Sequence, residues 1–241
     1  MTENSKPLKD RVALVTGASR GIGAAVSVRL AELGAHLILV ARTKAGLEEV
    51  DDKIRSIGGT ATLTPLDLSQ GVKIDQLGSA LFERYKKLDI LIGNAGLLGT
   101  LGPINHIDPK VWQQTMDVNL TANWWLIRSL DPLLRQSSSG RAVFITSTAG
   151  HLSRAYWGVY AVSKASLEML VKTYAHEVEK TNINVNLFNP GGTRTRMRAE
   201  AFPGEDPMTL KTPEHIADQI VNMALPSYAV NGEIIEAVNP K

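Results

Sequence analysis

Val12-Ala13-Leu14-Val15-Thr16-Gly17-Ala18-Ser19-Arg20-Gly21-Ile22-Gly23 decides the fold. An apolar, β-branched run meets a glycine-rich turn, and the turn opens a segment with helical spacing. Ile22, Val26, Leu30 and Leu33 fall at i, i+4, i+8 and i+11, one apolar stripe. Gly34 follows where a helix C-cap glycine belongs. Outward from this unit, short apolar runs recur at His36–Val40, Ala61–Leu66, Asp89–Gly93, Ala142–Thr146, Ile183–Phe188 and Glu233–Val238, with longer helical patterns between them. Such alternation predicts an α/β fold: a three-layer, doubly wound parallel sheet of about seven strands with helices on both faces. Ser137–Gly140 is a short turn, and no Pro/Gly/Ser-rich linker splits the chain, so one domain is expected over 1–241.

Composition narrows the function classes. The 241 residues are 44% hydrophobic and 21% charged, ordinary for an ordered globular chain. Lys plus Arg is 26 against 24 for Asp plus Glu, a balance that argues against nucleic acid or a membrane surface as partner. The absence of cysteine excludes disulfides, thiolate metal sites and a cysteine nucleophile, and fits the cytoplasm, the expected location. The N-terminal Met1–Lys6 is polar with no apolar core, which argues against a secretory signal, and runs such as Leu37–Ala41 are too short to span a bilayer. The histidines at 36, 106, 151, 176 and 215 have no i,i+4 pair and no ligand spacing, so no metal site is expected.

The glycine turn carries the first chemical signal. Gly17, Gly21 and Gly23 allow a sharp turn, close approach of a phosphate to the backbone, and tight packing of helix on strand. The helix start adds free N–H groups and a positive dipole end suited to a pyrophosphate. Placed after the first strand, the turn predicts a dinucleotide site of Rossmann type, formed by Gly17, Ser19, Arg20, Gly21, Ile22 and Gly23. Cofactor choice is read at the tip of the second strand. An NAD site places an acid there; Leu39-Val40-Ala41-Arg42-Thr43 has none. Arg20 and Arg42 suit a 2′-phosphate, so NADP(H) is favoured over NAD(H), with Thr43 beside them.

A second signal lies at Ser147, Tyr160 and Lys164. Tyr160 and Lys164 are four apart in a helical segment and share a face, while Ser147 follows the strand end Phe144-Ile145-Thr146. Reducing a carbonyl requires a proton on oxygen as hydride reaches carbon. A phenol with a pKa of about 10 is poorly matched to neutral pH, and a neighbouring ammonium favours the phenolate. A hydroxyl such as that of Ser147 can bind the substrate oxygen.

Thr16–Gly23 together with Ser147, Tyr160 and Lys164 resembles the short-chain dehydrogenase/reductase family, over about Lys9 to Asn239. Further landmarks follow in order: Asp67 and Leu68 match the pair that holds adenine, Asn94-Ala95-Gly96 the turn after the fourth strand, and Asn119 the catalytic asparagine. Pro190-Gly191 with Thr193 and Thr195 matches the segment that binds the nicotinamide carboxamide. The resemblance implies that Tyr160 is general acid in reduction and base in oxidation. It implies that Lys164 binds the nicotinamide ribose and lowers the tyrosine pKa, that Asn119 holds a relay water, and that Ser147 orients a small-molecule carbonyl or alcohol. It also implies a homo-oligomer, tetramer or dimer, built through helices around Trp112–Leu134 and Tyr160–Glu179 and through the last strand.

Two departures stand out. Gly93 replaces the first asparagine of the usual Asn-Asn-Ala-Gly, which is expected to loosen that turn, and Thr193 replaces an apolar residue. With Ala201–Pro207, this region looks like a poorly characterised bacterial subgroup of the family. Specificity is expected from loops Leu97–Ile104, Gly150–Trp157 and Gly192–Thr212. Leu97, Leu98, Leu101, Leu152, Tyr156, Trp157, Met197 and Phe202 fit an apolar pocket or ordinary loop packing equally well. Arg194, Arg196 and Arg198 read first as a solvated face and second as a receptor for an anionic substrate. Trp124-Trp125 fits a subunit contact or core packing. An oxidoreductase of carbonyl and alcohol groups is the leading function; a 3-oxoacyl thioester reductase and a non-catalytic NADP(H)-binding scaffold or sensor are the alternatives.

Overall fold

The computed structural model describes residues 6–239. The elements run β1 (Val12–Thr16), α1 (Gly21–Glu32), β2 (His36–Ala41), α2 (Lys44–Ser56), β3 (Thr60–Pro65), α3 (Gly71–Tyr85) and β4 (Ile90–Gly93). Then follow α4 (Pro109–Met116), a π-helical turn (Asp117–Thr121), α5 (Ala122–Leu134), β5 (Gly140–Ile145), α6 (Gly158–Glu177), β6 (Ile183–Asn189), α7 (Arg196–Ala201), α8 (Pro213–Met223) and β7 (Ile234–Glu236). The strands form one parallel sheet in the order β3-β2-β1-β4-β5-β6-β7.

Alternate residues of each inner strand feed opposite cores. Ala13 and Val15 of β1, Leu37 and Leu39 of β2, and Val143 of β5 pack with Val26 and Leu30 of α1, Ile54 of α2 and Ile220 of α8. Leu14, Ile38 and Phe144 face the other way, against Ile74 of α3, Leu126 and Leu130 of α5, and Leu167 and Val171 of α6. Burial on both faces explains why these strands read as unbroken apolar runs. Chain direction across the sheet reverses between β1 and β4, and a crevice opens there at the carboxyl ends of the strands.

Some expected boundaries move. β3 starts and ends one residue early, at Thr60–Pro65, although Leu66 N–H still bonds the Ala41 carbonyl at 2.9 Å. β5 is Gly140–Ile145 because it pairs from Gly140, opposite Ile183. β7 is only Ile234–Glu236: the Val238 backbone leaves the sheet, its N–H bonding Gln219 Oε1 at 2.9 Å and its carbonyl accepting from Gln219 Nε2 at 3.1 Å. The helix expected around Trp112–Leu134 is α4 and α5 joined by the π turn, which carries Asn119. No helix among the described residues is long and apolar enough to cross a membrane.

Candidate active site

The glycine turn is built by steric necessity. Gly17 has φ +64°, the left-handed region, and a methyl at Gly23 would lie 2.3 Å from the Gly17 carbonyl oxygen. α1 therefore starts against the turn itself. Its N-cap, Arg20, gives no side-chain hydrogen bond to the first turn, so those N–H groups stay available to an anion. Thr16 ties this turn to the next: its Oγ1 accepts from the N–H groups of Asn94 and Ala95, each at 3.0 Å. Asn94 Nδ2 returns a hydrogen bond to the Thr16 carbonyl at 2.8 Å.

Gly93 does not loosen that turn. A side chain there would lie 2.3 Å from the Phe144 ring and 2.8 Å from Asn123 Oδ1, so Phe144 and Asn123 already fill the space. Among sequence features, only the missing asparagine hints at this exchange of packing partners.

A cleft of about 590 Å³ runs along the carboxyl edge of the sheet. Gly17, Ser19, Arg20, Gly21, Ile22, Arg42 and Thr43 line one end, with Asp67, Leu68, Asn94, Ala95 and Gly96 along its floor. Ser147, Tyr160, Lys164, Pro190, Gly191, Thr193 and Thr195 line the other. Of the residues expected in the site, Gly23 and Asn119 do not line the cleft. Gly23 packs against Gly17 behind it, and Asn119 is fully buried. The Ser69 backbone N–H, reinforced by its hydroxyl and by nearby Arg42 and Lys73, holds Asp67 below the ordinary carboxylate range.

Asn119 braces the site from beneath. Its carboxamide clasps the Leu97 backbone, accepting from its N–H at 2.7 Å and donating to its carbonyl at 2.9 Å. Nδ2 also donates to Ser163 Oγ at 2.9 Å, which joins the β4 loop to α6. The Asn119 carbonyl, on the π turn, accepts from Asn123 Nδ2 at 2.8 Å. Sequence reading finds Asn119 but neither Ser163 nor Asn123, whose roles depend on contacts across the fold.

Tyr160 and Lys164 are both buried on one face of α6. Burial pushes the Tyr160 phenol up, and a hydrogen bond with Ser147 offsets part of that rise. The lowering expected from Lys164 is not met by the protein's own groups, because a phenolate here loses its hydration. Lys164 Nζ lies 5.8 Å from the Tyr160 ring centre and donates to the Ile145 carbonyl at 2.8 Å. Burial pulls Lys164 down to about 8 against an opposing pull from Glu168. Glu168 went unnoticed in the sequence; its signal is the continued four-residue step Tyr160, Lys164, Glu168.

The substrate end mixes apolar and charged side chains. Leu97, Leu98, Trp157 and Met197 line it together with Val118 and Ala201, and Arg194, Arg196, Arg198 and Glu200 line the same cleft. Leu101, Leu152, Tyr156 and Phe202, also expected there, do not; Leu152 and Tyr156 are exposed, and Phe202 packs on Trp157 with ring centres 5.6 Å apart. Nor do the three arginines form a simple solvated face. Arg198 grips Glu205 through two hydrogen bonds of 2.5 and 2.6 Å and lies 3.8 Å from the Phe202 ring centre. Arg196 pairs with Glu200 at 2.8 Å, and Arg194 donates to the Pro207 carbonyl at 2.8 Å. Trp124 is exposed, while Trp125 fills the space above Gly71.

A doubly wound parallel sheet with a glycine turn after β1 and a Ser–Tyr–Lys set on one cleft defines a nucleotide-dependent oxidoreductase architecture. The short chain dehydrogenase family matches residues 11–206, and the chain belongs to that family. It is 42% identical over 212 residues to the uncharacterized oxidoreductase YciK of Escherichia coli K12, covering 87% of this chain and 84% of that protein. Among solved structures, it resembles a short chain dehydrogenase from Shigella flexneri 2a complexed with NADP at 39% identity and TM-score 0.93, covering 97% of this chain and 99% of that one. It also resembles one from Escherichia coli CFT073 complexed with NADPH, at 39% identity and TM-score 0.92, covering 98% and 100%. The chain is thus an NAD(P)-dependent dehydrogenase or reductase.

Proposed function

We propose that this single-domain protein interconverts a carbonyl and an alcohol with NADP(H), using Tyr160 as the proton-transferring group. The observation that carries the reading is one cleft with an uncapped helix start and two arginines at one end and Ser147, Tyr160 and Lys164 at the other. The NADP and NADPH held by the two solved relatives support the cofactor choice.

The residues present fit that cofactor. Gly17 lines the cleft in the left-handed region, Gly23 lets α1 start directly against it, and the first turn of α1 offers its N–H groups to the pyrophosphate. Arg20 and Arg42 take the 2′-phosphate, with Ser19 and Thr43 beside them, and Asp67 and Leu68 bound the adenine. Asn94, Ala95 and Gly96 form the floor. Pro190, Gly191, Thr193 and Thr195 hold the carboxamide end, and Lys164 the nicotinamide ribose. When bound, NADP(H) would supply or accept the hydride.

In reduction, Tyr160 gives its proton to the substrate oxygen, and in oxidation it takes that proton back. Ser147 donates to the same oxygen and orients it. Lys164 holds positive charge beside the phenol and favours phenolate at the moment of transfer. Asn119 keeps the Leu97 loop and α6 in register. The loop over 192–212, braced by Arg198–Glu205 and stacked through Phe202 on Trp157, bounds the substrate end of the cleft. Purified protein is assayed with NADPH and NADH in parallel against ketones, aldehydes and 3-oxoacyl thioesters. NADPH-dependent turnover of neutral ketones or aldehydes supports the reading, and Arg42→Ala lowers the preference for NADPH by about tenfold or more. Turnover of thioesters alone favours a 3-oxoacyl thioester reductase. Tight NADPH binding with no turnover across the panel indicates a scaffold or sensor.

A further inference from the structure

Three side chains on one face of α6 hold the last residue of β5 and the two that follow it. Lys164 Nζ donates to the Ile145 carbonyl at 2.8 Å, Thr146 Oγ1 donates to Glu168 Oε1 at 2.6 Å, and Tyr160 shares a hydrogen bond with Ser147. Glu168 is only 7% exposed. A buried carboxylate is costly unless something nearby uses its charge. Its other hydrogen-bonding partner is His151, with Nδ1 at 3.2 Å, on the turn that follows Ser147. That turn is shaped around the carboxylate: a methyl on Gly150 would lie 2.5 Å from Glu168 Oε1. Beyond His151 stands Glu236 of β7, 3.9 Å from Nε2 and held by Asn189 Nδ2 at 2.8 Å.

We propose that Glu168 is a positioning residue for the reaction: its buried negative charge keeps the proton on Lys164 while its hydrogen bonds to Thr146 and His151 fix the strand end and turn that carry Ser147. The inference rests on the role given above to Lys164 at the nicotinamide ribose. A neutral amide of the same shape would still accept from Thr146, so the carboxylate is explained by its charge. Burial draws Lys164 down to about 8, close to working pH, and Glu168 opposes that fall. The ionisable groups around the pair are few. Tyr160 lies on the same helix; His151 faces Glu168 from the turn after β5, and Glu236 of β7 lies beyond His151. The β4 loop and the π turn contribute Gly96 and Asn119, both uncharged.

The test is the pH dependence of NADPH affinity in the full chain, read by energy transfer from tryptophan to bound NADPH. Wild-type affinity falls as pH rises through about 8, where Lys164 loses its proton. Lys164→Met abolishes that inflection. Glu168→Gln moves it down by about one pH unit while affinity well below it stays within about twofold. Glu168→Asp, which keeps the charge, returns the inflection toward wild type. An inflection that stays in place in Glu168→Gln, or a loss of affinity equal at every pH, overturns the proposal while leaving the Lys164 assignment intact. An inflection that survives Lys164→Met overturns that assignment and the proposal with it. Should Glu168→Gln fail to fold, Glu168→Asp against wild type decides: a small downward shift, reflecting a charge drawn one methylene away, supports the proposal, and an identical profile overturns it.

Discussion

Gly23→Ala is the sharpest probe of the cofactor seat, because the atom it adds has nowhere to go. The new methyl would begin 2.3 Å from the Gly17 carbonyl oxygen and 2.5 Å from Asn94 Nδ2. Relieving the first contact requires the start of α1 to move away from the turn by about 1 Å. The first contact is with backbone and the second with a side chain; Gly17 is held at φ +64° and Asn94 is tied to Thr16, so neither yields cheaply. Overpacking of this kind costs about 1–3 kcal/mol, which lowers Tm by about 2–10 °C in a chain of this size. The same movement withdraws N–H groups from the pyrophosphate. Losing one or two charge-assisted hydrogen bonds weakens NADPH binding by about 10- to 100-fold. NADPH titration by fluorescence and a thermal melt measure both effects. Gly204→Ala is the control, since a methyl there meets nothing within 4 Å, and it leaves both values unchanged. Wild-type affinity and Tm in Gly23→Ala would refute the close approach of α1 to the turn.

Two further outcomes follow from the site. Arg198→Ala removes both bonds to Glu205 and the guanidinium over Phe202, freeing the loop over 192–212. Limited proteolysis within that loop becomes faster and KM for the carbonyl substrate rises, while Tm moves by no more than about 2 °C because the pair is partly solvated; a loop as resistant as wild type contradicts the brace. Lys164 carries a folded pKa near 8 against an unfolded value of 10.5, so between those values the unfolded chain binds more protons and stability rises with pH. Lys164→Met removes that dependence, as read by denaturant melts across pH. Wild-type stability that falls between about pH 8 and 10 would show that the ammonium is not buried as described.

The parts of this molecule that were legible in the sequence are those whose signal is local. Strands β1, β2 and β4 are short apolar runs because both faces are buried, and the glycine turn is written in three residues that must approach other backbone. Ser147, Tyr160 and Lys164 could be placed together because one follows a strand end and two share a helix face. What escaped depends on distant partners. Asn119 was found by motif, yet its clasp on Leu97, 22 residues away, and its link to Ser163, 44 residues away, have no local mark. Glu168 reads as an ordinary helical acid until Thr146, His151 and Gly150 close around it. The rise in the Tyr160 pKa follows from burial, which the neighbouring lysine alone does not reveal. β7 lost its ends because Val238 is claimed by Gln219 of α8, a competition invisible in an apolar pattern.

The central claim is that Tyr160 moves the proton. It is tested most directly by following NADPH oxidation with the best carbonyl substrate from the panel, in wild type and in Tyr160→Phe. The variant keeps ring packing and loses only the hydroxyl, so NADPH affinity and Tm stay close to wild type while kcat falls by about 10²-fold or more. A Tyr160→Phe protein that turns over at the wild-type rate would contradict the account.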